Sequence, residues 1–533
     1  MAYDYAPFPF TPPPGLTKPE PRHAVVIIGA GPVGLTLAID LAQRGIASVV
    51  LDDNNVVSVG SRAICWAKRT LEIFDRIGIG ARILAKGVTW NVGRQFHKEN
   101  QVYAFDLLPE EGHKYPAFIN LQQYYVEQYL IERAQEFPDL IDLRFMNTVT
   151  GHIDHGDHVA LTIDTPKGPY SLNTDWLAAC DGAGSVTRKR MGLAFEGETF
   201  EESFLIVDVE LPRSPFGDHD TPERWFWFEP PFHNGQSALL HKQPDNIYRI
   251  DLQLGPDADP KIEAQEANVI ARIKAVVGDI PFRLDWKSVY RFRCAKLDKF
   301  VHNRVVFVGD SAHVVSPFGA RGGNGGIQDA DNLGWKLAAI IQGSAPNALM
   351  ETYDAERGSG ADENIMNSAR ATNFMTPKSP IEALFRNEVL KLAYDHVFAR
   401  KLINSGRLSQ PCVLTDSPLQ TSSDAPVAPG TAVLDAPLLK GSKKTWLSEI
   451  LPFDFCLLRV GDTPIPQDLG LRRIGIGHQA PYDCFHDAQG FAAKRYGTDH
   501  TYLIRPDGHI AAAFAQVDHA TVQKALNKAQ GVA

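Results

Sequence analysis

Three stretches of the chain combine glycines, acids and small residues at spacings suited to a phosphorylated ligand. Gly29-Ala30-Gly31-Pro32-Val33-Gly34 fits GxGxxG. In that pattern the first glycine makes a tight turn, the second lets a pyrophosphate approach the backbone, and the third lets a helix pack on a strand. The segment follows the apolar run Val25–Ile28 and opens a stretch of helical spacing from Leu35 to Arg44. A second apolar run, Ser48–Leu51, ends at Asp52, where an acid accepts hydrogen bonds from ribose hydroxyls. The second stretch is Cys180-Asp181-Gly182-Ala183-Gly184-Ser185, which on its own reads as an ordinary Asp-Gly turn after the strand-like Trp176–Ala179. The third runs from Val305-Val306-Phe307-Val308-Gly309-Asp310 through Pro317 to a loop, Gly319–Gly326, that carries five glycines. Backbone N–H groups in such a loop, at the start of a helix, form a concave donor array for the electron-rich edge of a reduced flavin. An ordered glycine loop is entropically costly, and a ligand is the usual reason for it.

The elements that must carry these turns follow from pattern. Val25–Leu51 is a complete βαβ unit. Residues 196–299 change character: Arg224–Phe228, Gln236–His241 and Tyr248–Leu254 are short, aromatic-rich and alternating, as antiparallel strands are. The pattern then reverts to a buried strand and long helices. The expected fold is therefore α/β, with a Rossmann-like domain over 23–195 and 300–410. A mostly antiparallel sheet domain at 196–299, joined by part of 88–119, interrupts it. Residues 1–22 carry seven prolines and form an arm, disordered or laid across the surface as extended chain. Residues 411–432 are a linker by composition, and 433–533 form a small α/β domain.

A net charge of −10 gives no general attraction for nucleic acid or for an anionic membrane. The most apolar stretch, Ala24–Ala42, is broken by glycine, proline and Asp40, so no membrane span is expected. The six cysteines include no CxxC pair, so neither a metal site nor a dithiol redox site is suggested. Sparse cysteines and the lack of a leader pattern fit a cytoplasmic protein. Self-association as a homodimer is left open.

Taken together and in this order, the three glycine segments resemble the fingerprint, DG and GD motifs of the group A flavoprotein monooxygenases, the para-hydroxybenzoate hydroxylase-like superfamily. Ser61-Arg62-Ala63, Arg69-Thr70-Leu71-Glu72, Gln123 with Glu127, Arg224–Pro231 and Tyr353-Asp354-Ala355-Glu356-Arg357 look most like 3-(3-hydroxyphenyl)propionate hydroxylase and phenol hydroxylase relatives. The tail around Tyr502–Gly508 resembles their thioredoxin-like third domain, without its CxxC. The resemblance implies a glutathione reductase-type FAD domain and a reaction that consumes NAD(P)H and O2. A C4a-hydroperoxide of the flavin would hydroxylate a phenolic ring, such as a hydroxyphenylpropionate or hydroxybenzoate. Carried over by position, Gly29, Gly31, Gly34 and Asp52 hold the ADP half of FAD, and Arg62 and Gln123 lie near the pyrophosphate and ribityl region. Asp181 serves FAD and NAD(P)H, Asp310 binds the ribityl chain, and Pro317, Gly322, Gly323 and Asn324 border the isoalloxazine. Phenol hydroxylase relatives carry an acid two residues after the arginine matching Arg62; here that position is Ile64, so no acid–base role transfers.

The residues themselves suggest Tyr290 and His241 as catalytic groups near the phenol oxygen, and Arg249 and Arg293 as carboxylate ligands. Trp225 and Trp227 could line the substrate cavity. The alternatives are a hydroxylase or epoxidase of polyketide-like polycycles, a halogenase, and a non-catalytic flavin-binding protein. The halogenase ranks low because Glu229-Pro230 replaces the ending of the WxWxIP segment.

Overall fold

The computed structural model describes residues 3–532 apart from 109, 216–220, 234, 256, 404–409, 463–464, 466–469 and 478–482. Its first layer is an eight-stranded sheet whose centre is parallel. His23–Ile28 lies between Ser48–Leu51 and Tyr170–Ala179, and the latter pairs with Val305–Phe307. Residues 25–28, 49–51, 177–179 and 305–307 are buried, which explains their apolar, largely Val/Ile/Leu/Ala composition. The register aligns Ile28 with both Leu51 and Ala179, and Ala179 with Phe307. The segments that follow, Gly29, Asp52, Asp181 and Gly309, therefore leave the sheet at one edge, where open α/β sheets bind their ligands.

A second eight-stranded sheet, antiparallel except at one junction, runs in the order His313–Val314, Arg283–Lys296, Glu196–Glu210, Ile247–Leu254, Ala238–Lys242, Arg224–Phe228, Val92–His97, Asn100–Asp106. Side chains alternate between its faces. One face packs Leu205, Val207, Leu240, Ile250 and Leu252 on helix Glu266–Val277. The other packs Phe204, Phe226, Phe228 and Phe292 against Phe318 and the helices Leu349–Met375, Pro380–Asp395 and Val397–Ile403. A three-stranded sheet of Cys65–Ala67, Phe118–Asn120 and Val88–Trp90 lies nearby, and Asn120 Nδ2 donates to Lys242 O of the large sheet at 2.9 Å.

The arm is laid across the surface. Phe8 stacks on Phe145 at 4.6 Å, Glu20 pairs with Arg144 at 2.7 Å, and Tyr5 accepts a hydrogen bond from Gly60 N at 3.1 Å. Residues 411–432 differ from a free tether. Thr421 N and Gly430 N donate to Ala511 O and Ile510 O, and Leu414, Leu419 and Val427 are buried. Its apolar residues recur too sparsely among Pro, Ser and Thr to make a periodic signal. Beyond it lies a five-stranded sheet in which Cys456–Val460 is parallel to Arg472–Ile476 and antiparallel to Thr501–Ile504. All six cysteines are free, and among the described residues no helix is long and apolar enough to cross a membrane.

Candidate functional site

The glycines show how the three motifs meet. A Cβ on Gly34 would stand 2.0 Å from Gly29 O, and one on Gly29, whose φ is +104°, would stand 2.5 Å from Cys180 O. A Cβ on Gly326 would approach both Val33 and Gly309 Cα, at 2.7 and 3.2 Å. The fingerprint and the Asp181 turn are thus packed backbone to backbone, with no room for a side chain at Gly29 or Gly34, and Val33 fills the gap between the fingerprint and the Gly309 turn. Gly31 differs: a Cβ there would meet nothing within 4 Å, so that glycine faces open space.

Two helices begin at this space, Pro32–Gln43 and Gly322–Ile341, and neither has a side chain capping its N-terminus. Their first N–H groups are left for an anion or an electron-rich ring edge. Asp310 faces the same cleft. Its side chain is exposed there and makes no hydrogen bond or ion pair with any described residue. The Oδ1 of Asp181 is buried without a partner, although its Oδ2 accepts from Thr187 N at 3.0 Å. Asp52 is pushed up to about 6 by burial, against the pull of hydrogen bonds from Ala30 N at 2.6 Å and Asn54 N at 2.8 Å. Orphaned acceptors and uncapped donors around a bare glycine turn are what a dinucleotide carrying hydroxyls and phosphates would satisfy, so the residues fit FAD.

Other residues position these groups. Asn324 is spent on the protein: its Oδ1 accepts from Ala67 N at 2.9 Å and its Nδ2 donates to Cys65 O at 2.8 Å, tying the glycine loop to the Arg62 segment. Gln123 holds that segment from the other side, accepting from Ala63 N at 3.2 Å and donating to Glu127 at 2.7 Å. Arg62 has a positive φ of 43° and an exposed side chain. Gly323 lies beside Ala63 and Trp66, and Pro317 is exposed. Two positioning residues had no assigned role in the sequence. Arg188 bridges Ala183 O and Ser311 O at 2.7 Å each, joining two of the motifs. Asp329 accepts from Gly309 N at 3.1 Å and pairs with His313 and Arg357 at 2.6 Å. Burial alone would raise Asp329, but His313 and Arg357 outweigh it and hold the carboxylate down at about 2.

Such turns at the edge of a parallel sheet match a known family over most of the chain: residues 22–368 fit the model described as FAD binding domain. The chain belongs to that FAD-binding family. It is an FAD-dependent monooxygenase. It is 32% identical to a flavin-dependent monooxygenase of Mycobacteroides abscessus, over 68% of this chain and 78% of that one. It is 28% identical to a 3-(3-hydroxy-phenyl)propionate/3-hydroxycinnamic acid hydroxylase of Mycolicibacterium smegmatis, over 69% and 64% of the two chains. It is 31% identical to a 12-dehydrotetracycline 5-monooxygenase/anhydrotetracycline 6-monooxygenase of Streptomyces rimosus, over 68% and 72%. The fold of the monooxygenase PieE, solved with FAD and substrate, superimposes with a TM-score of 0.81, covering 97% of this chain and 100% of that one at 20% identity.

The residues suggested for substrate and catalysis are scattered across this monooxygenase. Trp225 and Trp227 are corrections. Alternation places them with Phe232 on the face that packs helix Glu266–Val277, opposite Phe226 and Phe228. Arg293 is a second. It sits on the face opposite Phe292, stacks over Phe195 at 4.8 Å and donates to Phe195 O. Arg249 is on the flavin-side face but committed: its Nε bonds Asp251 at 2.7 Å and its Nη1 bonds Arg62 O. His241 pairs with Arg249 in register, whereas Tyr290 pairs with Phe204 near the other end of the sheet. Three strand spacings and four residues along the strands separate the two, roughly 20 Å, so they cannot share one reacting atom. Burial, with Arg224 and Arg249 adding to it, keeps the His241 imidazole neutral. Tyr290 is 49% exposed, and partial desolvation with the nearby Asp310 raises the pKa of its phenol.

Asp52 makes cofactor affinity pH-dependent. Ionised, its carboxylate accepts from ribose hydroxyls with both oxygens; protonated, one oxygen becomes a donor and that acceptor is lost. Because its pKa without ligand is about 6, FAD binding must expel a proton below that pH. FAD should therefore bind about tenfold more weakly at pH 5 than at pH 7. Asp52→Asn should bind less tightly at pH 7 and lose this dependence, as measured by fluorescence titration of the stripped protein.

Proposed function

We propose that this monooxygenase hydroxylates a phenolic ring, using NAD(P)H as reductant and O2 as oxidant. The observation that carries the reading is the flavin-side face of the large sheet, where Phe204, Phe226 and Phe228 share one face with the polar side chains of His241 and Tyr103. An aromatic wall binds a flat ring and excludes water, and a few placed polar groups orient its oxygen. FAD, when bound, supplies the electron transfer and activates dioxygen. Gly29, Gly31, Gly34 and Asp52 would hold its ADP half, and Asp310 its ribityl chain. The open backbone at Gly322–Asn324 would border the ring system.

The chain's own groups have limited proton chemistry. Either a neutral His241 or the Tyr290 phenol would hydrogen-bond the phenol oxygen, and at roughly 20 Å apart the two cannot both do so. The hydroxylated carbon is then ortho or para to a phenol oxygen oriented by such bonds. The 31% identity with a tetracycline monooxygenase favours a second reading, a polycyclic phenol in the same cavity. We also read 433–533 as a thioredoxin-like unit without redox chemistry, on the strand order Arg472–Ile476, Cys456–Val460, Thr501–Ile504, Ile510–Phe514.

The test is a screen of phenols, phenolic acids and polycyclic phenols for stimulated NAD(P)H consumption under 18O2. The expected result is a phenol that stimulates oxidation and gains one labelled oxygen. Stimulated consumption with no label in any product would reject hydroxylation, and labelled product from polycycles alone would select the second reading.

A further inference from the structure

The register of the large sheet sets a row of charged residues across its flavin-side face. Asp208 is opposite Arg249, Arg249 is opposite His241, and the next position on the neighbouring strand is Arg224, itself opposite Gly93. Alternation puts Arg224 on the same side as Phe226 and Phe228. The next row, one step along the strands, holds Asp251, Leu239, Phe226, Gln95 and Tyr103.

The groups in these rows are not equally satisfied. Asp251 is bonded to Arg249, and Asp208 accepts from Gln243 at 3.0 Å. Glu223, beside Arg224 in sequence, is paired with Arg94. Arg224 is half-buried and makes no hydrogen bond or ion pair with any described residue, although it is near enough to Cys65, Asp251, Tyr103 and His241 to interact with them electrostatically. Around it, three buried polar atoms also lack partners: Gln95 Oε1, Tyr103 OH and His241 Nδ1, on residues that are 6%, 5% and 4% exposed. Buried polar atoms are rarely left unpaired, and beside these three stands the half-buried Arg224 with its own donors uncommitted. Several of them facing one space indicate a ligand that supplies the missing partners.

We propose that Arg224, flanked by Tyr103, Gln95 and His241, is an anion subsite that takes the carboxylate of an aromatic substrate. A guanidinium fork matches a carboxylate in a two-bond geometry, and the phenol of Tyr103 adds a neutral donor. Gln95 and His241 complete the subsite as hydrogen-bonding neighbours. The subsite replaces both arginines that the sequence pointed to, one bound to Asp251 and the other on the far face. The inference deepens the hydroxylase reading and rests on it, narrowing the substrate to phenols that carry an acid group.

The test compares acids with their own esters. The FAD-loaded protein is titrated calorimetrically with 3-(3-hydroxyphenyl)propionate, 3-hydroxybenzoate and the methyl ester of each. At least one acid should bind at least tenfold more tightly than its ester. Arg224→Gln should bring that pair within twofold of each other, and Arg224→Lys should retain part of the preference. Equal binding of acid and ester by the unmodified protein, no binding of either acid, or an undiminished preference in Arg224→Gln would overturn the subsite. The comparison on the unmodified protein and on Arg224→Lys decides the matter if Arg224→Gln does not fold. Preferential binding of acids with no labelled product from any phenol would leave the subsite standing and reject the hydroxylase reading. Labelled product with no acid preference would do the reverse.

Discussion

A Gly31→Val variant should purify as a folded but colourless protein. The extended backbone at Gly31, φ −76° and ψ −178°, suits a β-branched residue, and a Cβ there meets no protein atom within 4 Å. The apo variant should therefore melt within about 2 °C of FAD-stripped wild type, as a surface substitution does. The same isopropyl group fills the space that a pyrophosphate needs in order to reach the N–H groups at the start of helix Pro32–Gln43. FAD affinity should fall by a factor of about 100 or more, since the approach is lost together with the hydrogen bonds to charged oxygens. Gly34→Val makes the contrast. Its side chain would overlap Gly29 O, so this variant should fail to fold whether or not FAD is supplied. A yellow Gly31→Val protein with normal FAD content would show that the cofactor does not use this turn.

The reasons some of this was legible in the sequence and some was not are physical. The βαβ unit and its glycines are local: the strand, the turn and the first helical turn lie within Val25–Leu41 and are specified by neighbours a few residues apart. The convergence of Asp181 and Gly309 on the same turn was accessible only through resemblance, because parallel pairing leaves no short-range mark. In Arg224–Phe228 the alternation separates Arg224, Phe226 and Phe228 from Trp225 and Trp227 without structural help. Which set faces the flavin depends on pairing with Val92–His97, more than a hundred residues earlier, and on helices that follow much later. The two tryptophans drew attention as large aromatics, while the informative residue was the arginine on the buried side of the strand. Arg293 fails for the same reason, since its neighbour Phe292 takes the inward position. The sequence puts His241 on the sheet, but its charge state depends on burial and on Arg224 and Arg249, one strand away on either side.

Arg505→Met should release the C-terminal unit to proteolysis while the FAD-binding part stays folded. Arg505 is 2% exposed and bonds Glu356 at 2.6 Å and Asp507 at 2.5 Å, joining the tail to helix Leu349–Met375. Asp507 also takes hydrogen bonds from Trp335 and Asn332 of helix Gly322–Ile341, and Arg69 and Arg76 donate to Asp507 O and Pro506 O. Burial raises both carboxylates, but Arg505 outweighs it and holds each below its ordinary range, Lys336 helping at Glu356. Methionine fills much of the volume but leaves Asp507 charged and poorly compensated, which costs roughly 3–5 kcal/mol at a buried pair. Glu356 keeps Lys336 at 2.7 Å and Asn332 at 2.7 Å, so the loss should fall mainly on Asp507. Adding Asp507→Asn removes the stranded charge while keeping an oxygen for Trp335 and Asn332. The double variant should therefore regain about 1–2 kcal/mol relative to Arg505→Met. Limited thermolysin digestion at neutral pH reads the effect as cleavage within 411–432, at Val413, Leu414, Leu419 or Val427, fast in Arg505→Met, slower in the double variant and slowest in wild type. The acid limb must agree in sign. Carboxylates held below their unfolded pKa stabilise the docked state above about pH 4, and that stabilisation is lost as pH falls through their folded values. Wild type should accordingly undock on acidification, and Arg505→Met should undock at higher pH. Equal digestion of all three proteins would mean that the interface is held by the apolar contacts of Trp335, Leu349 and Leu503, with the ionic cluster adding only selectivity of fit.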